Sequence, residues 1–556
     1  MSTVKLPSES LWQSAPRPKF KKVTKSAEYD AVVVGGGITG LTAAYLLKQA
    51  GKKVAVVERD QIGFVDTGLT TAHLTYVTDQ RLPALVKQCG KNAARLVWQA
   101  GAQAIDTIEQ IATELEIDCD FHRCDGYLHE SICGKQDETK SLEQDAALAK
   151  DLGFDAEFVP SVPYFNRPGV KFARQAKFHP LKYISALATA IEGQGSHVFE
   201  GSEVTEFQTD PQAVMVDRHQ LHAEYLVIAT HVPLAGKTGL LSSTLFQAKL
   251  FPYSSYVIGA KIPRGQLPVA SFWDTSDPYY YLRVEAGKAK DYAIFGGQDH
   301  KTGQVDSEQA FQDLRKVLTV IIPEAQPDRQ WSGQVIETND GLPYIGETAE
   351  RQFVATGFSG NGMTFGTLAG LMAREAMQGK KNPWQELFSV NRQSLKGLWD
   401  SLSENMDYPY YFAKDRLAPA EGSSASDVLA GEGKILAING QRVACSRDES
   451  GKLSTVSAVC THMGCLVHWN KAETTWDCPC HGSRFKPSGE VLVGPAESPL
   501  AAITIPVEPK KTAKKKVAAK TAKKATAATN GKPKAAPQKQ TTAKRTTAKK
   551  APAKKK

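Results

Sequence analysis

The chain has 556 residues, which corresponds to three or four domains of ordinary size. Its formal net charge is +9, but residues 510–556 hold 17 Lys, one Arg and no acidic residue. Residues 1–509 therefore carry 50 basic and 59 acidic side chains, a net charge of −9. An acidic body argues against a dedicated nucleic-acid-binding fold for most of the chain.

Two kinds of membrane-directed segment are not found in the sequence. No stretch of about 18 consecutive apolar residues occurs, so no transmembrane helix is predicted. The N-terminus has no apolar core of a secretory signal, and we therefore predict a cytoplasmic protein. Nine Cys in a chain of this length do not make a disulfide scaffold, but five of them lie within 445–480.

Changes in composition and hydrophobic pattern divide the chain into five segments. Alternating strand and helix patterns come first, short strands follow, and the C-terminus lacks the apolar residues that a core needs. The segments are an irregular N-terminal arm (1–28), an α/β region (29–379) with a strand-rich part within about 80–330, a linker (380–427), an all-β region (428–508) and a Lys/Ala-rich tail (509–556) predicted to be disordered.

A glycine-rich turn marks a dinucleotide site near the start of the α/β region. Residues 29–58 have the pattern strand, helix, strand, and the turn after the first strand fits G-x-G-x-x-G. Gly35 permits the tight turn, Gly37 lets the backbone approach a pyrophosphate, and Gly40 allows close packing of helix and strand. Glu58, 23 residues after Gly35, is placed to accept hydrogen bonds from ribose hydroxyls.

Four later segments carry glycines and hydroxyl side chains in a familiar order. They are Thr-Gly-Leu-Thr-Thr-Ala-His at 67–73, Glu-Val-Thr at 203–205, Asp-Gly-Leu-Pro-Tyr-Ile-Gly at 340–346 and the glycine-rich run at 355–364. With the first motif they resemble the FAD-dependent oxidoreductases typified by D-amino acid oxidase and glycine oxidase. The resemblance implies FAD, bound in a Rossmann-like α/β domain with an interleaved antiparallel-sheet substrate domain. The cofactor contacts that it implies are Gly35, Gly37, Gly40, Glu58, Thr70, Thr71, Val204, Gly357, Gly360, Gly362, Met363 and Thr364.

One departure from that family concerns the substrate. The amino-acid oxidases usually carry an Arg that clamps the substrate carboxylate, and Val335 stands at the corresponding position. An α-amino acid substrate is therefore not expected unless another residue such as Arg283 replaces the clamp. The residues do not identify a catalytic base. Three pocket candidates, each more typical of a structural role, are His73, His231 and Tyr281.

The strongest motif lies in the all-β region. Cys-Thr-His-Met-Gly-Cys at 460–465 is followed after twelve residues by Cys-Pro-Cys-His-Gly-Ser at 478–483. Paired Cys and His also fit zinc, but this spacing resembles the Rieske [2Fe–2S] signature far more closely. The resemblance implies that Cys460 and Cys478 bind one iron and that His462 and His481 bind the other.

The Rieske resemblance extends to residues around the cluster. It implies a disulfide between Cys465 and Cys480, as in the high-potential Rieske proteins of cytochrome bc complexes. Ser483 is implied to donate a hydrogen bond that raises the cluster potential. Phe485 stands where the highest-potential members have Tyr, so we predict a lower potential than theirs. A bacterial family joins this flavin fold to a C-terminal Rieske domain, and the chain resembles it over about 1–508.

These features predict a cytoplasmic flavin- and Rieske-dependent oxidoreductase of the dehydrogenase type. A small molecule, an amine, imino or hydroxy compound, reduces FAD, and the [2Fe–2S] cluster passes electrons singly to an external acceptor. Two alternatives stay open: a reductase in which electrons flow from a donor through the cluster, and a redox sensor. The lysine-rich tail fits a polyanion partner, either DNA or an anionic membrane surface, and in the sensor it would anchor the protein there. Its composition equally fits contact with the acidic body or a solvated segment that only keeps the chain soluble.

Overall fold

The computed structural model describes residues 6, 8–209, 211–233, 249–392 and 407–505, so the predicted tail over 509–556 lies outside the described residues. The strands are β1 (Ala27–Val34), β2 (Val54–Val57), β3 (His73–Leu74), β4 (His122–His129), β5 (Ala156–Val159), β6 (Gly169–Lys177), β7 (His197–Phe199), β8 (Val204–Thr209), β9 (Gln212–Val216), β10 (His219–Ile228), β11 (Leu250–Pro263), β12 (Ser271–Asp274), β13 (Tyr281–Glu285), β14 (Lys290–Lys301), β15 (Gln326–Thr338), β16 (Tyr344–Ala349), β17 (Gln352–Thr356), β18 (Gly433–Ile438), β19 (Gln441–Arg447), β20 (Leu453–Ser457), β21 (His468–Asn470), β22 (Thr475–Asp477), β23 (Arg484–Phe485) and β24 (Val491–Val493).

The helices connect and cover these strands. They are α1 (Ile38–Gln49), α2 (Asp66–Leu69), α3 (Leu82–Cys89), α4 (Lys91–Glu114), α5 (Thr139–Asp151), α6 (Pro180–Ile191), α7 (Ser307–Ile321), α8 (Gly362–Met377) and α9 (Asp407–Leu417), with short 3₁₀ turns at Leu11–Ser14 and Ala425–Asp427. Within the described part of the chain, no helix has the length and apolar character needed to cross a membrane.

The first sheet has the order β16-β17-β10-β1-β2-β7, with parallel pairing of β1 to both β2 and β10. Helices cover it, and residues 31–34 of β1 and all of β2 are buried. Every residue of α1 from Ile38 to Leu47 is buried as well, because α8 packs on its outer side. A side chain at Gly370 of α8 would come within 2.9 Å of Ala43 N, so this glycine permits the close approach.

The second sheet is antiparallel for most of its width and has the order β15-β11-β14-β13-β12-β4-β6-β3. Strand β11, next to the edge strand β15, pairs with β15 on one side and with β14 on the other. The chain enters this sheet from the first sheet several times, so the two sheets are interleaved in sequence. The α/β and antiparallel parts match the predicted fold class.

The C-terminal part contains two small antiparallel sheets, β18-β19-β20 and β21-β22-β23-β24. Trp476 and Phe485 are fully buried between them. Helix α9, in the segment predicted as a linker, packs beside the loops that carry the Cys/His motif. The rings of Tyr408 and His481 have centroids 5.4 Å apart, and Arg416 Nη2 donates to Gly464 O at 2.6 Å. The predicted all-β region is therefore extended by a helix from the segment that precedes it.

Candidate functional site

A cavity of about 990 Å³ extends from the glycine-rich turn after β1 to the antiparallel sheet. This volume is at the upper end of the range for ligand clefts. Nine of the residues predicted to contact the cofactor line it, namely Gly35, Gly37, Glu58, Thr70, Thr71, Val204, Gly360, Gly362 and Met363.

At one end, the turn between β1 and α1 has no room for side chains. Gly35 has φ +112°, and a Cβ on Gly40 would lie 2.0 Å from Gly35 O. Gly40 does not line the cavity but packs behind this turn. Gly36 N donates to Glu58 Oε2 at 2.7 Å, which orients the carboxylate at the end of β2. Burial raises the pKa of Glu58, and a turn of this shape fits the pyrophosphate and ribose of a dinucleotide.

The N-terminus of α8 borders the other end of the cavity. Gly360 has φ +79°, and a Cβ there would lie 2.4 Å from Asp79 Oδ2. Gly357 and Thr364 lie behind the cavity wall. A Cβ on Gly357 would lie 2.4 Å from the Thr338 side chain, and the hydroxyl of Thr364 donates to a backbone carbonyl at 3.0 Å. The partial positive charge of this helix end suits an electron-rich group of a bound cofactor.

Side chains from three distant segments hold the backbone of residues 69–72, which the flavin resemblance implicates. Trp331 Nε1 donates to the carbonyl of residue 69 at 2.7 Å. Trp12 Nε1 donates to Thr70 O at 2.6 Å, and Arg283 Nη1 donates to Thr71 O at 2.8 Å. Trp12 belongs to the predicted irregular arm. Its 2% exposure shows that this arm is part of the site's support, which its sequence did not indicate.

The guanidinium of Arg283 is not available to bind a substrate carboxylate. It is 1% exposed and donates to the carbonyls of Thr71, Ala72 and Phe178 and to the carboxylate of Glu285. These bonds occupy the donor directions of the fork. Arg283 is also not among the residues that line the cavity, whereas Val335 is. The alternative in which Arg283 replaces the family's carboxylate clamp is therefore wrong.

Acidic side chains line the cavity near the antiparallel sheet. Burial and the nearby carboxylates of Glu337 and Asp299 raise the pKa of Asp79 to about 8. Burial raises the pKa of Asp299 to about 7, although Ser255 Oγ donates to Asp299 Oδ1 at 2.6 Å. The hydroxyl of Tyr281 lies 2.7 Å from Ser255 Oγ, which completes a chain of hydrogen bonds. The sequence did not predict a role for either aspartate, because neither belongs to a recognisable motif.

The two histidines considered as catalytic bases differ in their surroundings. His73 lines the cavity, and burial together with the charge of Arg283 lowers its pKa to about 3, so its ring is neutral. His73 Nδ1 lies 3.0 Å from Thr71 Oγ1. His231 Nε2 lies 3.5 Å from Asp66 Oδ2 at the end of the cavity near α2. Tyr281 also lines the cavity, and burial raises its pKa further above the usual value. With pKa values near neutrality, Asp299 and Asp79 are better suited to proton transfer than His73 and Tyr281.

Two short loops carry the Cys/His motif. Each is closed by a backbone hydrogen bond, from Cys460 N to Cys465 O and from Cys478 N to Ser483 O, both 2.8 Å. A disulfide between Cys465 and Cys480 joins the loops, with Cα atoms 6.5 Å apart. The loops are thereby held facing each other.

The four side chains predicted to bind iron are close together at the tips of these loops. Cys460 and Cys478 are buried free thiols. The rings of His462 and His481 have centroids 4.8 Å apart and are perpendicular. Their Nδ1 atoms are buried without a hydrogen-bond partner among the described residues, as expected of nitrogens that bind a metal. Two thiolates and two imidazoles fit the donor set of a Rieske centre.

The surroundings of the loops also fit such a centre. Ser483 is fully buried, and its Oγ accepts a hydrogen bond from Ala496 N at 3.0 Å, which leaves its hydroxyl hydrogen for another acceptor. Gly494 lies against this residue, since a Cβ there would be 2.6 Å from Ser483 Cα. Phe485 is buried in β23 and has no hydroxyl to donate.

Removing the disulfide should destabilise the loops measurably. The bridge closes a segment with a sequence separation of 15. Closure of a loop of about this length contributes about 3 kcal/mol through the unfolded chain. We expect Cys465→Ser with Cys480→Ser to lower the free energy of unfolding of this region by that amount, measured by denaturant titration. An unchanged midpoint would contradict the expectation.

The second Cys/His loop contacts the antiparallel sheet directly. Gln334 Nε2, on β15, donates to Gly482 O at 2.8 Å. A Cβ on Gly482 would lie 2.5 Å from Pro252 Cβ, so only glycine allows this approach. Gln304 Nε2 donates to Pro479 O at 3.0 Å. The loop that carries two of the predicted iron ligands is therefore seated against strands that border the cavity.

The C-terminal part also forms a section of the cavity wall itself. Residues 491–494, Ala496 and Glu497 line the cavity together with the glycine-rich turn. Arg59 Nη2 donates to Leu492 O at 2.8 Å. The flavin-type cavity and the cluster-type loops thus share one wall within the chain.

Comparison with known proteins agrees with this arrangement. Residues 30–376 match the family described as FAD dependent oxidoreductase (DAO), and residues 421–505 match the Rieske [2Fe-2S] domain. The chain belongs to the DAO family of FAD-dependent oxidoreductases and carries a C-terminal Rieske domain. The predicted family, fold class and oxidoreductase activity are confirmed, as are its two cofactors, FAD and a Rieske [2Fe–2S] cluster.

Three relatives illustrate the match. The chain is 33% identical over 507 residues to YhfW of Bacillus subtilis (strain 168), described as a Rieske 2Fe-2S iron-sulfur protein, covering 89% of this chain and 98% of that one. It is 25% identical over 381 residues to gamma-glutamylputrescine oxidoreductase of Escherichia coli (strain K12), covering 65% and 86%. Glycine oxidase from Geobacillus kaustophilus has the same fold, with a TM-score of 0.56 and 19% identity, covering 66% of this chain and 100% of that one.

Proposed function

We propose that this oxidoreductase oxidises a small molecule in the cavity and passes the electrons through its own Rieske domain to an external acceptor. The substrate class is an amine, imino or hydroxy compound. When bound, FAD accepts the electron pair from the substrate and the cluster carries electrons one at a time. The gamma-glutamylputrescine oxidoreductase relative is named for an amine, which favours the amine member of this class.

Residues of both the FAD-binding region and the Rieske domain have roles in this function. The glycine-rich turn, Glu58 and the N-terminus of α8 hold FAD. Cys460 and Cys478 hold one iron, and His462 and His481 hold the other. Ser483 supplies a hydrogen bond to a cluster sulfur, and the disulfide fixes the distance between the loops.

The observation that supports this electron path is the shared wall. Gln334 lies on β15 next to Gly333, which lines the cavity. The side-chain amide of Gln334 donates a hydrogen bond to the backbone carbonyl of Gly482, the residue between His481 and Ser483. The contact is buried, since Gln334 is 4% exposed. A buried contact excludes water between the two redox sites, and electrons are transferred faster over a short, packed path. The cluster then takes the place of dioxygen as the electron acceptor, which makes the enzyme a dehydrogenase.

An anaerobic screen tests this function. Pools of amines, imino compounds and hydroxy compounds are added to the purified protein, with flavin bleaching followed optically and the cluster by electron paramagnetic resonance. We expect one pool to bleach the flavin first and to reduce the cluster afterwards. If no pool does so, while a one-electron donor fills the cluster and then the flavin, the reductase alternative is correct instead.

Two further expectations concern the setting of the enzyme. The lysine-rich tail and its polyanion partner lie outside the described residues and stay predictions, as does the cytoplasmic location. Salt-dependent binding of the full chain to DNA or to anionic vesicles, compared with a chain ending at residue 508, measures the contribution of the tail.

A further inference from the structure

Part of the wall beside the ribose-binding carboxylate comes from the Rieske domain. Residues 491–494 line the cavity together with Glu58 and Arg59. Arg59 directly follows Glu58 in the chain, and its Nη2 donates to Leu492 O at 2.8 Å. This contact places the Rieske segment at the end of the cavity where Glu58 is positioned to hold a ribose.

The next residue, Asp60, links the same two features. Its backbone N–H donates to Glu58 Oε1 at 2.8 Å, and this bond helps to orient the carboxylate. Its side chain lies 3.8 Å from the Nζ of Lys486, which belongs to the Rieske domain. The turn that fixes Glu58 is therefore also a contact surface for the Rieske domain.

One segment separates the cavity from the second Cys/His loop. Residues 491–497, which we call the shared segment, contain Gly494 and Ala496, both of which line the cavity. A Cβ on Gly494 would lie 2.6 Å from Ser483 Cα, and Ala496 N donates to Ser483 Oγ at 3.0 Å. The shared segment thus contacts the cavity on one side and the loop that carries His481 on the other.

A second set of contacts fixes the Rieske domain to the start of α7. Ser307 Oγ donates to Asn470 Oδ1 at 2.6 Å, and both residues are buried. The Nζ of Lys471 lies 3.0 Å from the carboxylate of Glu308, and these two side chains are 52% and 42% exposed. These four residues lie outside the cavity wall and outside the Cys/His loops. The docking of the Rieske domain can therefore be altered at α7 without changing either cofactor site.

We infer that the Rieske domain completes the FAD site: the shared segment closes over the bound dinucleotide, so that FAD leaves only when this domain moves off the α/β region. The inference goes beyond the proposed electron path and holds for either direction of electron flow. Release of FAD then requires an open state in which the contacts at α7 and at the shared segment are broken. By linkage, bound FAD stabilises the docked Rieske domain to the same extent that docking strengthens FAD binding.

A measurement on the unmodified chain tests this coupling without any variant. Hydrogen–deuterium exchange of the peptides that cover the shared segment is compared with FAD bound and after FAD removal, with the cluster retained. We expect slower exchange with FAD bound, because the open state is then less populated. Peptides from β18, which pairs with β19 inside the Rieske domain, should exchange alike in both states. Equal exchange of the shared segment in the two states would overturn the inference.

A buried variant at the start of α7 tests the same coupling through the rate of release. Ser307→Leu removes the hydrogen bond to Asn470 and adds bulk where the two surfaces meet, which weakens docking. Because release proceeds only from the open state, we expect FAD to dissociate at least about tenfold faster after dilution. The recovery of free-flavin fluorescence measures the rate, and retained cluster absorbance shows that the Rieske domain is folded.

The exposed pair provides a milder change with its own rescue. Lys471→Glu places a second carboxylate against Glu308, and we expect FAD release to be about threefold faster. Lys471→Glu combined with Glu308→Lys restores opposite charges and should restore slow release. Lys316→Glu, the matched control, makes the same charge change at a residue of α7 that pairs with Asp313 of the same helix, and should release FAD normally. Unchanged release in both Ser307→Leu and Lys471→Glu would contradict the inference.

The outcome is separable from that of the proposed function. If FAD release and exchange change as expected but no electrons pass between FAD and the cluster, the inference stands and the proposed function fails. If electrons reach the cluster while both α7 contacts can be weakened without any effect on FAD release, the inference fails and the proposed function stands.

Discussion

The Cys460→Ala variant should reduce its flavin normally and transfer no electrons to an acceptor. Loss of one of the two predicted thiolates leaves an iron without its ligand, so the cluster does not assemble. The glycine-rich turn after β1 is formed by another segment and stays intact. We expect acceptor reduction to fall by more than about 100-fold, beyond what loss of an outer partner causes. Anaerobic flavin bleaching and steady-state dye reduction measure the two halves separately.

A matched control is available in the same domain. Cys445 is fully buried on β19, and burial raises the pKa of its thiol to about 11, so it is an inert side chain. Cys445→Ala should keep the cluster signal and the rate of acceptor reduction. Normal acceptor reduction in Cys460→Ala would show that electrons bypass the cluster.

The Arg484→Met variant should destabilise the Rieske domain by about 3–5 kcal/mol. Arg484 is 3% exposed and pairs with Glu473 at 2.6 Å and with Asp477 at 3.1 Å. Without the guanidinium, two buried carboxylates face each other uncompensated. A denaturant titration followed by cluster absorbance measures the loss.

Lys486→Met provides the comparison for a surface pair. The side chain of Lys486 is 35% exposed, and its Nζ pairs with the carboxylate of Glu490, four residues further along the chain, at 3.0 Å. Exposed pairs contribute about 1 kcal/mol or less. A similar loss for the two variants would contradict the importance of burial at Arg484.

The sequence was sufficient for the parts of the fold that depend on local signals. The G-x-G-x-x-G turn requires glycines at fixed offsets, and the crowding of Gly40 against Gly35 O explains why. The Cys/His boxes are equally local, because ligands at the tips of two loops need short, fixed spacings. These motifs were enough to predict the family, the fold class and both cofactors.

The parts that the sequence did not predict depend on contacts between distant segments. Asp79 lies in the loop between β3 and α3, and Asp299 lies on β14, so the two meet only in the folded chain, and neither belongs to a motif. Gln334 meets Gly482 across 148 residues. Trp12 lies in a polar, proline-containing arm, where composition favours irregular chain but cannot show that one indole is buried. Hydrophobic periodicity and motif spacing describe local structure, so they do not predict contacts between residues far apart in the sequence.

Intramolecular transfer from the cavity to the cluster is the central claim, and rapid anaerobic mixing tests it most directly. The reducing substrate is mixed with the protein in less than stoichiometric amount, and cluster reduction is followed after flavin bleaching. Because the two sites share a wall within one chain, the rate constant for cluster reduction should be independent of protein concentration. A rate that rises in proportion to protein concentration would contradict the claim, since electrons would then pass between molecules.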